Sequence, residues 1–291
     1  MKYILENENN KVEIRSCGGE LCSFKHDGVE YIHQPNPETW NRSAPYLFPN
    51  VGAIKNKVAI IEGKEYKLTK HGFLRDLEMN LVSHENDTLV LSVEDNENTL
   101  SIYPYHFKLT ITYKLTNDTL NCNIEVHNKG EKPMYFNLGL HPAFQVPLHE
   151  GEKFEDYSIL FPNKISANLP TVDLSTGLVD YNKVARTFKD LEVLPLNYED
   201  YKNDALVFDP FNETKLVLEH NKTKHGIVFE FEKFKTLGVW TPNHTKADFI
   251  CLEPWIGCAD SPLTTSYETK KDIIKLDSKA IWNTSYKITT K

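Results

Sequence analysis

The stretch Lys108–His127, KLTITYKLTNDTLNCNIEVH, alternates with period two on both sides of a polar turn. Leu109, Ile111, Tyr113 and Leu115 fall on one face, with Lys108, Thr110, Thr112 and Lys114 on the other. After the turn Thr116-Asn-Asp-Thr119, Leu120, Cys122, Ile124 and Val126 alternate with Asn121, Asn123, Glu125 and His127. Side chains of a strand point to alternate faces, so the stretch predicts an antiparallel hairpin with one buried face. The same pattern predicts strands at Val12–Arg15, Gly19–His26, Leu89–Glu94, Lys215–Glu219, Gly226–Glu232 and Thr284–Thr289. No window carries a sustained apolar stripe at helical spacing; short helical turns are expected only near Tyr198–Lys202 or Asp272–Ser278. Many short strands and frequent turns, without a linker or a repeat, predict a single all-β sandwich or barrel over residues 1–291.

The whole-chain balance removes several classes of function. A net charge of −8 offers no basic footprint for nucleic acid. No apolar run approaches the roughly 18 residues of a membrane helix, and the first residues lack the pattern of a signal peptide. The five cysteines, Cys17, Cys22, Cys122, Cys251 and Cys258, form no C-x-x-C pair, and their odd number points to reduced thiols in a cytoplasm. Phosphate-binding and dinucleotide-binding glycine patterns, the G-x-S-x-G elbow and H-E-x-x-H are absent. Of the histidines other than His71 and His141, none stands at metal-ligand spacing from a carboxylate, and no metal is expected.

Two strand-like segments end on a titratable residue followed by proline. In Tyr135–His141, the residues Tyr135, Asn137, Gly139 and His141 share a face, while Phe136, Leu138 and Leu140 suit a core. Pro142 then ends the ladder. In Phe249–Trp255, Phe249, Cys251, Glu253 and Trp255 share a face, and Ile250 and Leu252 turn inward. A carboxyl group in so apolar a segment needs a partner or a task. Taken singly, each residue reads first as a hydrogen-bonded or solvated structural group, and as a proton carrier only when a partner supports it. Two loops complete the set: Asn41–Gly52, rich in proline and carrying Arg42, and Thr69–Asp76, carrying His71, Gly72 and Arg75.

In this order the segments resemble the aldose 1-epimerase (galactose mutarotase-like) family, most of all its bacterial LacX-like branch. RSAPYLFPNVG (42–52), HGFLRD (71–76), LGLHPAF (138–144) and CLEPW (251–255) resemble four of its motifs, and GVWTPN (238–243) fits between them. The resemblance covers nearly the whole chain and implies a large twisted antiparallel β-sandwich with a sugar cleft on one face. It implies His141 as the acid that protonates the ring oxygen of a pyranose, and Glu253 as the base that deprotonates the anomeric hydroxyl. The two would stand on opposite sides of the C1–O5 unit. Reference pKa values near 4.3 and 6.5 suit such work around neutrality. His71 would donate a hydrogen bond near O5; Arg42, Arg75 and Asp204 would bind the sugar, with Trp255 and Phe73 as stacking surfaces. HGFLRD stands where galactose mutarotases carry an Asn/Gly/His-rich segment, so the resemblance leaves both a free aldohexose and a hexose 6-phosphate open as substrate. No cofactor is implied, because no electrons are transferred, and the protein would act as a monomer or homodimer. Two rivals use the same residues: a non-catalytic carbohydrate-binding or regulatory protein on this fold, and a glycosidase pairing Glu253 with Asp204 or Asp209.

Overall fold

The computed structural model describes residues 1–291. Phe107–Thr116 pairs antiparallel with Thr119–Asn128, in register from Phe107 opposite Asn128 to Thr116 opposite Thr119, so Asn117-Asp118 is the two-residue turn. Asn117 takes a positive φ of 50°, a conformation asparagine tolerates better than most residues. This hairpin lies within a nine-stranded sheet. In spatial order its strands are Val179–Pro195, Tyr157–Val172, Lys215–His220, Gly226–Phe231, Ile281–Thr290, the two hairpin strands, Thr88–Glu94 and Asn80–His84.

A six-stranded sheet faces it, ordered Leu206–Phe208, Thr236–Trp240, Phe249–Ile256, Leu138–Leu140 and Tyr46–Leu47, with Ala143–Gln145 also paired to Phe249–Ile256. A four-stranded sheet of Lys2–Glu6, Asn10–Arg15, Leu21–His26 and Val29–Glu30 completes the large sheets. Alternation in every sheet sends one face inward, and the inward faces fuse into one core of 63 buried residues. Ile111 and Ile124 come from the nine-stranded sheet, Ile250 and Leu252 from the six-stranded one, and Val12 and Phe24 from the third. At the centre of this core Tyr46 Oη lies 2.6 Å from Tyr113 Oη and 2.8 Å from Tyr286 Oη. That cluster ties the six-stranded sheet to the nine-stranded one. The chain is an all-β antiparallel sandwich, and no helix is long and apolar enough to cross a membrane.

Four local expectations change. Tyr135–His141 is two strands: Met134–Phe136 pairs with Ile274–Leu276, and Leu138–Leu140 pairs with Phe249–Ile256. The break falls at Asn137, whose backbone N–H donates instead to Pro49 O at 2.7 Å. Asp272–Ser278 is consequently not a helical turn but holds the strand Ile274–Leu276, whereas Tyr198–Tyr201 is a 3₁₀ turn as expected. A six-residue α-helix at Glu97–Ile102 is fixed by Asn96 and Thr99, which cap each other's backbone N–H reciprocally. The long hairpin Tyr157–Val172 with Val179–Pro195 carries register shifts and is largely exposed along its middle. Without a buried face it needs no alternation, which is why periodicity does not reveal it.

Candidate active site

Phe249–Ile256 is buried along its whole length. Its inward residues Ile250, Leu252 and Ile256 belong to the main core. Its outward residues divide between two small clusters: Phe249 and Cys251 join Ala143 and Ala247 beneath Trp40 and Trp240, while Trp255 joins Leu47, Val51 and Val207. Glu253 stands between them on the outer face. Gly139 pairs with Trp255 and Ala143 with Cys251. The same register carried through the gap sets His141 opposite Glu253, where Pro142 interrupts the ladder but still accepts the Leu252 N–H at 3.2 Å. On the other side Gly238 pairs with Glu253 and contributes no side chain.

His141 Nε2 therefore lies 3.1 Å from Glu253 Oε2, with side chains only 10% and 3% exposed. The two groups meet side by side, as cross-strand neighbours must, rather than facing each other across a ring-sized gap. Trp40 stacks on the His141 ring with centroids 4.7 Å apart, and Trp240 meets it edge-on at 5.9 Å. His141 Nδ1 is buried without a hydrogen-bond partner. The contact to Glu253 and the Trp40 stack are what hold the ring.

His71 comes up from the loop, its ring centroid 5.7 Å from that of His141. Its Nδ1 accepts the Gly52 N–H at 3.2 Å, which leaves the proton on Nε2. The loop is fixed tightly: His71 N–H donates to Gly52 O at 3.0 Å, and a Cβ on Gly72 would lie 2.2 Å from Phe48 O. Asn50 Nδ2 holds Gly52 O at 2.8 Å, and Asn50 Oδ1 accepts from Lys270 Nζ at 2.6 Å. Lys270 is itself buried against Asp260 at 2.8 Å.

Burial sets the protonation of the pair. It pushes His141 down to about 3, with the cations Lys70, Arg75 and Arg42 adding to the effect. It pushes the Glu253 carboxyl well above its ordinary 4.5, Lys70 pulling against the shift and Asp204 pushing further. His71 is lowered well below 6.5, first by burial and then by His141 and the same cations. A buried imidazole and a buried carboxyl in contact thus hold one titratable proton between them.

The remaining predicted residues take different positions. Arg42 and Arg75 form a rim clasp around Asp76: Arg42 Nη2 reaches Asp76 Oδ1 at 2.6 Å, and Arg75 Nε lies 3.7 Å from Asp76 Oδ2. Arg75 also donates to Lys70 O at 3.0 Å. Asp204, at φ 75°, accepts the Ala205 N–H at 2.8 Å, and its charge is felt at Glu253. Trp255 is only 6% exposed, because its indole lies where a Cβ on Gly139 or Gly238 would come within 2.8 or 2.6 Å. It is a wall of the site rather than an open platform.

Phe73 is a core residue packed on Phe48, Tyr103 and Phe107, not a stacking surface. Asp209 is held by Tyr181 at 2.8 Å and by Lys271, and does not partner Glu253. Trp40, Trp240 and Lys70 are the neighbours that the sequence pattern does not single out. The available signals are weak: Trp240 lies within GVWTPN, Trp40 precedes Arg42 by two residues and Lys70 immediately precedes His71. The expectation of no metal-ligand grouping also changes. His141, Cys251 and Glu253 bring ligand atoms within 4.8 Å of one another, because Cys251 and Glu253 share a strand face and His141 enters from the next strand.

An antiparallel β-sandwich that buries an imidazole and a carboxyl around one proton, on the outer face of a sheet, supports a mutarotase-type function. The chain belongs to the aldose 1-epimerase family, whose model matches residues 1–269. It is 35% identical over 268 residues to the plasmid protein LacX of Lactococcus lactis subsp. lactis, covering 90% of this chain and 89% of that one. A galactose mutarotase related enzyme from Lactobacillus acidophilus superposes with a TM-score of 0.94 at 29% identity, over 100% of this chain and 97% of that one. A galactose mutarotase-like protein from Lactobacillus casei gives 0.91 at 27% identity, over 100% of both chains. Family and fold together support an isomerase-type enzyme.

Proposed function

We propose that this protein is a sugar mutarotase, interconverting the α and β anomers of an aldohexose, free or 6-phosphorylated. The observation that carries the reading is the 3.1 Å contact between His141 Nε2 and Glu253 Oε2 in a buried site. O1 and O5 of a cyclic sugar are bonded to the same carbon, so adjacent groups on the protein can serve both. The reactive form of the pair is the minor one, with its single proton on His141 instead of Glu253: Glu253 takes the proton from O1 as His141 Nε2 gives one to O5, the C1–O5 bond breaks and C1=O1 forms. The pair still holds one proton, now on the carboxyl. Rotation about C1–C2 presents the other face of the carbonyl. On closure O5 returns its proton to His141, O1 takes one from Glu253, and the other anomer leaves. Nothing is oxidised or reduced, so the chemistry calls for no cofactor.

His71 is the hydrogen-bond donor beside O5, since its Nδ1 is occupied by Gly52 and Nε2–H is free to donate. Arg42, Arg75 and Asp204 bind hydroxyl groups at the rim, with the Trp40 and Trp240 rings and the Trp255 wall shaping the cleft. One domain over residues 1–291 carries the site, for the main core runs from Leu5 to Ile288. Five unpaired cysteines fit a reducing cytoplasm.

The test is exchange spectroscopy by NMR on anomerically equilibrated glucose, galactose and their 6-phosphates. Wild type speeds the exchange of at least one of these sugars. General acid–base groups contribute about 10²–10⁴-fold each, so His141→Asn and Glu253→Gln each lose at least about 100-fold. No acceleration by wild type with any of the four sugars rejects the proposal.

A further inference from the structure

We propose that His141, Cys251 and Glu253 form a binding site for a zinc-class divalent cation, whose occupancy switches the proton pair off. The three ligand atoms lie within 4.8 Å of one another. The His141–Glu253 separation of 3.1 Å is already close to the roughly 3.3 Å edge between nitrogen and oxygen ligands of a tetrahedral zinc ion. Sulfur sits on a longer edge, about 3.6 Å, so the thiol closes on the metal by little more than an ångström at most. Cys251 and Glu253 are two residues apart on one strand face, which fixes their spacing, and His141 is held from the adjoining strand.

The charge balance fits a buried site. Thiolate and carboxylate bring two negative charges, imidazole brings none, and the divalent cation cancels them, so nothing uncompensated is buried. The thiol proton and the proton shared by the pair leave as the metal enters. Nitrogen, sulfur and oxygen donors together select zinc or cobalt over magnesium and calcium, which prefer oxygen alone. Three protein ligands leave a fourth position for water. The metal occupies the lone pair of His141 and an oxygen of Glu253, so neither can move a proton. Metal binding stands independently of the mutarotase reading; only its inhibitory consequence rests on that reading.

The test is Co²⁺ titration of the reduced full chain, followed by its thiolate-to-cobalt absorption band, with Zn²⁺ displacing the cobalt. One equivalent of metal and one thiolate ligand are expected. Losing even an outer-shell partner costs metal sites about 10–100-fold in affinity, so Cys251→Ala and Glu253→Gln weaken Zn²⁺ by at least about 100-fold. Cys258→Ala keeps the band. Circular dichroism checks that each variant is folded, and Cys251→Ser, which preserves the volume, gives a second thiol-free variant. Absence of the band in wild type overturns the site, as does a band that survives in folded Cys251→Ala. Where an accelerated sugar has been found, Zn²⁺ suppresses its exchange in wild type and at least about 100-fold less readily in Cys251→Ser. The spectroscopic result stands even where no sugar is accelerated, so failure of either proposal is told apart from failure of the other.

Discussion

Replacing the pair by amides, as His141→Asn with Glu253→Gln, removes two titrations and leaves every other ionisable group in place. The pH dependence of the stability difference between wild type and this double variant therefore reports the pair. His141 has a depressed pKa in the fold, so its contribution is complete above 6.5 and is lost as pH falls toward about 3. Glu253 is shifted the other way, so its contribution is complete below 4.5 and is lost as pH rises. Just above 4.5 the two slopes oppose each other, the folded chain holding its one proton on Glu253 and the unfolded chain holding its one proton on His141. Below 4.5 only the histidine slope remains, and the unfolded chain holds one more proton down to about 3. That interval, at about 1.36 kcal/mol per pH unit, amounts to about 2 kcal/mol. Urea unfolding of both proteins across this range, followed by circular dichroism, measures it. The expected difference curve flattens just above pH 4.5 and falls by about 2 kcal/mol on the acid side, down to about pH 3. A curve without that acid-side fall would refute the one-proton pair, and with it the proton accounting of the proposed reaction.

Two further perturbations probe the scaffold that presents the pair. Tyr46→Phe removes the hydroxyl shared by Tyr113 and Tyr286 at the junction of the two large sheets, and a buried polar group losing its partner costs about 1–3 kcal/mol. Urea midpoints measure this, and an unchanged midpoint contradicts the network. Gly238→Ala places a methyl group 2.6 Å from the Trp255 indole beside Glu253. Overpacking of this kind costs about 1–3 kcal/mol, and the displaced wall should lower sugar exchange as well; retention of both stability and exchange argues against close packing there.

Alternation made the architecture legible wherever a strand has one wet and one dry face. The hairpin Phe107–Thr116 with Thr119–Asn128 follows its pattern residue by residue, and Phe249–Ile256 keeps its phase although both faces are buried, Ile250 and Leu252 turning to the main core and Cys251 and Glu253 away from it. The pattern fails where that condition fails. The exposed hairpin of Tyr157–Val172 and Val179–Pro195 has no face to mark, and the break at Asn137 is set by a hydrogen bond to Pro49 from a distant loop.

The candidate site divides along the same line. Its residues were named from the sequence by residue type, strand phase and a family resemblance. Phase placed His141 and Glu253 on the faces turned away from the core, but phase is a local property and cannot say which strands adjoin. Register decides that, and it sets His141 opposite Glu253 and brings Cys251 within ligand distance of both. Burial then lowers the imidazole and raises the carboxyl, because desolvation depends on everything packed around a group. The sequence by itself determined the all-β class and named the candidate proton carriers. Only the tertiary structure decided that they meet, what charge they carry and that Trp40 covers them, since each depends on contacts between segments far apart in the chain.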